Sequence, residues 1–168
     1  MKRSILFAFA ALSLLLATGC GQQAAEPATP EPETQEEEQV NVLEQFYNAV
    51  DMSYQALLSI DSDIYENWRA AIYDNQFNND INEAIAAAED QHVEEISALI
   101  ELDGTIVELY KAARETEQAE LVKSVMMAYS DYYDFVINVS GSFNDYSEGR
   151  LEKQKAVSST LRELLYEL

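Results

Sequence analysis

From Val40 to the C-terminus, apolar residues recur with the period of an α-helix. Leu43, Phe46, Tyr47, Val50, Tyr54, Leu57 and Leu58 lie on one helical face, as do Ile64, Trp68, Ala71 and Ile72. Between them "DSD" (61–63) offers capping side chains, with Asp63 and Glu66 in capping-box register. The stretch therefore reads as two helices or as one long helix with a bend. "DNQFNND" (74–80) has the composition of a turn, and Asp80 with Glu83 can cap a short helix through "INEAIAAAED". A third stripe runs through Val93, Ile96, Leu99, Ile100, Ile106, Val107, Tyr110 and Ala113, with Gly104 inside it marking a candidate bend. Thr116 can cap the next helix, whose face is Leu121, Val122, Val125, Tyr129, Tyr132, Val136 and Val139. Leu151, Val157, Leu161, Leu164, Leu165 and Leu168 align on a last helix. No alternation of period two interrupts this pattern. Proline-free amphipathic segments joined by short loops predict an all-α fold, an up-down bundle of four to five helices.

Charge narrows the choice of partners. The 168-residue chain has 10 Lys+Arg against 31 Asp+Glu, a formal net charge of −21. Affinity for a phosphate backbone comes from Lys and Arg, so nucleic acid is excluded as a partner. One Cys precludes an internal disulfide, and one His precludes a multi-His metal site.

The N-terminus breaks the pattern of the body. Lys2 and Arg3 precede "ILFAFAALSLLLA" (5–17), an uncharged apolar run followed by small residues, as in a secretory signal. That run is shorter than the roughly 20 apolar residues a comfortable membrane span needs. The only cysteine follows at the junction, in Leu16-Ala17-Thr18-Gly19-Cys20. This stretch resembles a bacterial lipobox, although Ala17 stands where Leu is commonest. The resemblance implies cleavage after residue 19 and diacylglyceryl modification of the Cys20 sulfur, which becomes the first residue of the mature chain. Two or more acyl chains anchor a protein stably where one holds it only marginally. The implied location is the extracytoplasmic face of a bacterial cell membrane, with the lipid bilayer as a partner through the Cys20 acyl chains. Residues 1–19 then form the signal peptide and 20–39 the lipidated cysteine with a Pro/Glu-rich disordered tether. Residues 40–168 form the helical domain. All three prolines lie in the tether, whose nineteen residues after Cys20 could span roughly 60 Å if extended.

Motifs in the body are weighed as chemistry and as structure. Glu89 and His92 are spaced as in the Glu-x-x-His of di-iron bundles, but such a site uses the motif twice and His92 has no counterpart. A solvent-facing His92 beside Glu89 and Glu95 is the expectation. Asp74, Gln76, Asn78 and Asp80 alternate like calcium-loop ligands, yet Ile85 occupies the twelfth position where a bidentate Glu is needed. No metal and no cofactor is therefore assigned. Asn79, at the glycine position of such a loop, can accept a left-handed backbone. In "NVSGSFNDYSEG" (138–149), Gly141 suits a left-handed helix end and Ser147 can cap the next helix, with Tyr146 and Leu151 as its hydrophobic staple. Ser140, Gly141, Ser142, Phe143 and Tyr146 form a candidate binding loop at one end of the bundle. Tyr47, Tyr54, Tyr129 and Tyr132 fall on apolar stripes and should pack at the core edge with hydroxyls reaching water. "YSDYYDF" (129–135) could alternatively line an aromatic–acidic groove for a cation.

A "WRAAI" helix, an Asn/Asp turn, an "EAI" helix and a later Ser-Gly-Ser-aromatic loop follow in order. In this order of features the body resembles small uncharacterised helical lipoproteins of Gram-positive bacteria, a type that brings no activity with it. No nucleophile–His pair, phosphate loop or paired catalytic motif is recognisable, so the chain reads as no enzyme. The expected function is a non-enzymatic interaction module, its partner an envelope protein or a cationic wall component. The alternative is an accessory module that sequesters a cation or basic peptide in an acidic, Tyr-rich groove. A hydrolase working through Asp and Glu is a more distant third.

Overall fold

The structure is a computed structural model that describes the backbone from Glu33 to Leu168 and side-chain environments from Val40. The signal peptide, Cys20 and the tether as far as residue 32 lie outside the described residues. Five α-helices follow one another: α1 (Glu33–Tyr73), α2 (Ile81–Gln91), α3 (Val93–Ala113), α4 (Ala119–Ile137) and α5 (Phe143–Leu165). No strand occurs among the described residues, and the fold is the all-α bundle that the periodicity predicts.

Helix α1 is one unbroken helix of 41 residues and starts inside the stretch assigned to the tether. The "DSD" triplet does not interrupt it. Asp61 is fully buried, and Asp63 reaches His92 instead of capping a helix. The remaining chain wraps around α1. Helices α2 and α3 form one broken arm that runs back along it, since Asn67 meets Ala84, Asp63 meets His92 and Phe46 meets Tyr110. Helix α4 returns parallel to α1, pairing Ser53 with Tyr129 and Asp61 with Tyr132. Helix α5 descends again, with Tyr146 on Asp61 and the Gln154 carbonyl on Tyr54. The result is an up-down-up-down bundle of four arms.

Local chemistry explains the corners. Asp80 caps α2 by accepting from the Asn82 and Glu83 amides at 2.8 and 3.3 Å. The turn before it holds Asn75, Phe77, Asn78 and Asn79 at φ between 51° and 61°, and Asn tolerates this region better than most residues. Ala84 and Ala88, one turn apart, give α2 a flat buried face against α1. Helix α3 continues through Gly104 without a break. Thr116 lies in the turn before α4, donating to the Ala113 carbonyl at 2.7 Å, and Gln118 occupies the cap position.

At the last corner Gly141 has φ 91° and Ser142, rather than Ser147, caps α5. The Ser142 hydroxyl accepts from the Asp145 amide at 3.2 Å while the Asp145 carboxylate accepts from the Ser142 amide at 3.4 Å. This reciprocal box starts the helix early enough to bury Tyr146 within it. The expected staple is consequently absent, because Leu151 faces solvent. Gly149 admits close approach of α4: a Cβ there would lie 3.1 Å from the Phe135 ring.

Candidate functional site

The densest polar chemistry in the body lies inside it. Asp61 sits on the apolar face of α1 with neither oxygen reaching water. Tyr146 donates to Oδ1 at 2.7 Å and Tyr132 to Oδ2 at 2.8 Å. The Arg150 Nε donates to both oxygens, at 3.1 and 3.2 Å, and Gln154 Nε2 reaches Oδ2 at 2.5 Å. Both oxygens thus face only donors, which is the pattern a buried carboxylate requires. The donors come from α4 and α5, so one side chain of α1 ties three arms together. Arg150 also lies over the Tyr65 ring, 4.4 Å from its centre.

Burial of this cluster decides the state of its tyrosines. Desolvation, then the charge of Asp61, raises the Tyr132 and Tyr146 pKa values well above the ordinary 10. Tyr129 is also raised, first by burial, although its hydrogen bond with Ser53 at 3.0 Å opposes the shift. These hydroxyls do not reach water as the core-edge reading expected. Each is satisfied internally. No hydrolytic pair is formed here, because the partner of Asp61 is a cation rather than a second carboxylate.

His92 occupies the break between α2 and α3. It is buried, not solvent-facing, with Nδ1 at 2.5 Å from Glu95 and Nε2 at 2.7 Å from Asp63. Burial alone would lower its pKa, but hydrogen bonds first to Asp63 and then to Glu95 raise it above 6.5 on balance. Glu89, its neighbour in the Glu-x-x-His spacing, is exposed, and only its backbone carbonyl meets His92, accepting from the His92 amide at 3.0 Å. Among the described residues no group of three or more His, Cys, Asp or Glu is placed to hold a metal. In the 74–80 turn the oxygens serve separate partners: Asp74 faces Arg69 at 3.6 Å and Asp80 caps α2.

The candidate binding loop is split by the fold. Ser140, Gly141 and Ser142 are exposed. Phe143 turns inward and stacks on Tyr65 at 5.4 Å, with Trp68 and Tyr73 against its edges. Tyr146 is committed to Asp61 and stacks on Phe135 at 4.8 Å. Trp68 Nε1, beside these rings, is the buried side-chain polar atom without a hydrogen-bond partner among the described residues.

Comparison of the chain with protein-family models, curated proteins and solved structures found no match.

The surface is open along the seam between α3 and α4. An open depression of about 560 Å³ is lined by Tyr110, Met126, Met127, Ala128, Ser130 and Asp131. A second, of about 330 Å³, lies towards the His92 end and includes Val93, Ile96, Ile137, Glu89 and Asp90. Beside them Val93, Ile100 and Met127 are 60%, 59% and 64% exposed. Sequence reasoning placed Val93 and Ile100 in the core, because a 3.6-residue pattern does not say how wide the buried part of an apolar face will be.

Proposed function

We propose that this protein is a lipid-anchored, extracytoplasmic interaction module of a bacterial envelope. Cys20 is its attachment point, the Pro/Glu-rich stretch its spacer, and the helical bundle the part that meets a partner. The observation that carries the reading is the exposed apolar flank of α3 beside an incompletely closed seam. Apolar surface left out beside polar surroundings is a mark of association sites. The Lys-poor body would be repelled by anionic headgroups, so position at the membrane depends on acyl chains at Cys20.

The interaction reading is preferred over sequestration of a cation for a specific reason. The aromatic–acidic environment best suited to a cation, formed by Asp61, Tyr65, Tyr132 and Tyr146, is filled by the chain's own Arg150. In-cell cross-linking of the lipid-labelled protein tests the proposal. Cys20→Ser should abolish fatty-acid labelling and release the body from membranes, and cross-linking should yield a discrete adduct. Unchanged lipid labelling of Cys20→Ser would refute the anchor. Absence of any adduct above background would refute the interaction role.

A further inference from the structure

Between Ala71 and Leu99 the buried residues are Ala84, Ala88 and His92, each four positions after the last. They form one stripe on the inner face of α2, with His92, at the break before α3, as its only large side chain. Alanine methyls bury little apolar area, so α2 is held less firmly than α4, which buries Val122, Val125, Tyr129, Tyr132 and Val136. Side-chain hydrogen bonds tie α2 and its cap to α1 at two points among the described residues. Asn67 donates to the Ala84 carbonyl at 3.3 Å, and His92 Nε2 meets Asp63 at 2.7 Å.

The second of these ties depends on a proton. Nε2 of His92 faces Asp63 on α1 and Nδ1 faces Glu95 on α3, and an imidazole donates from both nitrogens only when protonated. Neutral, it keeps one N–H and turns a lone pair on the other carboxylate, so one of the two contacts becomes repulsive. The surroundings supply no substitute cation. Glu66 on α1, Glu89 and Asp90 on α2 and Glu94 on α3 are acidic and exposed, and α4 brings apolar Val136 and Ile137 to the adjoining depression. The helix dipoles largely offset each other, because His92 ends α2, where a cation is favoured, and begins α3, where it is not.

We propose that His92 is a proton-operated clasp: protonated, it fastens α2 to α1 through Asp63 and Glu95, and loss of the proton loosens residues 81–92 while the rest of the bundle stays packed. Leu99, Ile106 and Ala113 keep the remainder of α3 in the core, so the break at His92 is the natural hinge. Val93 and Ile96 follow the hinge and line the smaller depression together with Glu89 and Asp90, so that surface changes shape as the clasp opens. The clasp holds its proton more tightly closed than open, since hydrogen bonds to Asp63 and Glu95 outweigh burial. Closure is therefore firmest below pH 6.5 and weakens as pH rises through the closed-state midpoint. The readout lies within the chain, so this inference stands or falls separately from the interaction role.

Amide hydrogen exchange of the full-length chain between about pH 5.5 and pH 8 tests the clasp, with each rate taken relative to an unstructured peptide at the same pH. Histidine is the side chain that ordinarily titrates in this window, and His92 is the only one. The amides of α2 should be protected at least about a hundredfold less than the slowest of α4 and α5, showing that α2 opens on its own. Their protection should fall with rising pH by about tenfold for each unit by which the His92 NMR midpoint exceeds 6.5. Asp63→Asn should lower that midpoint and shrink the fall in proportion, and His92→Gln should abolish the pH dependence. Protection of α2 equal to that of α4 and α5 would overturn the proposal, because the helices would then open only together. Protection of α2 that stays constant while His92 titrates would overturn it too. So would a wild-type pH dependence surviving in His92→Gln or, should that variant not fold, an undiminished fall in Asp63→Asn.

Discussion

Removing the Asp61 carboxylate should cost the domain a large part of its stability. In Asp61→Ala, the Tyr132 and Tyr146 hydroxyls lose their acceptor in a fully buried place, and Arg150 loses its counter-charge. Each unsatisfied buried polar group costs about 1–3 kcal/mol. Breaking a buried ion pair from one side costs about 3–5 kcal/mol. These costs overlap, and two features of the cluster soften them. The Arg150 side chain keeps 14% exposure and its contact with Tyr65, and Tyr132 keeps a 3.3 Å bond from Gln154. A net loss of about 3–5 kcal/mol is expected, against a total stability of about 5–15 kcal/mol for a domain. Urea denaturation followed by far-UV circular dichroism measures it. Asp61→Asn, which keeps the shape and one acceptor, should lose less. Asp61→Leu combined with Arg150→Met should recover only the part due to the unpaired Arg150, since apolar replacement of a buried pair is often neutral but the Tyr132 and Tyr146 hydroxyls still lack their acceptor. If Asp61→Ala lost under about 1 kcal/mol, the cluster would not be what ties α1, α4 and α5 together.

Three further outcomes follow from the same structure. Gly104→Ala should stabilise the chain by about 1 kcal/mol, because the site is helical and open; a lowered melting temperature would mean the space is not free. His92 is the only histidine, so its NMR titration should show one midpoint above 6.5. A raised folded-state pKa means that its stabilisation is complete below pH 6.5 and is lost as pH rises through the folded value. The stability gap between wild type and His92→Gln should accordingly narrow with rising pH, and a midpoint at or below 6.5 would refute the Asp63–His92–Glu95 bridge. Spectrophotometric titration should leave Tyr129, Tyr132 and Tyr146 protonated past the ordinary pKa of 10 until the fold opens. Their stabilisation is complete below pH 10 and lost above it, so native-state ionisation of all ten tyrosines together would contradict their burial.

What the sequence revealed and what it hid have a common cause. Apolar stripes such as Tyr54–Leu57–Ile64–Trp68 and Val122–Val125–Tyr129–Tyr132–Val136 report which face of a helix is buried, and they delivered the all-α bundle. Local signals of capping misled where tertiary contacts won. Asp61 and Asp63 look like caps beside Glu66, but Asp61 lies in the register of Leu57, Ile64 and Trp68. A polar residue in step with an apolar face is a buried one awaiting partners. Arg150 and Gln154 occupy the equivalent register between Tyr146 and Val157, and His92 that between Ala88 and Leu99. The readable signal was the register of these polar residues; their identity as mutual partners came only from bringing α1, α4 and α5 together. At the last corner two serines competed as caps. Ser142 prevails because Asp145 completes its box and Tyr146 gains burial on Asp61.

The central claim is that the outer flank of α3 is the working surface of a membrane-anchored module. A photo-cross-linking side chain placed at position 100 of the anchored full-length protein tests it most directly, with the same group at the similarly exposed position 151 on α5 as reference. The account predicts a discrete adduct from position 100 and none from position 151. Equal yields at the two positions, or no adduct from position 100, would contradict it.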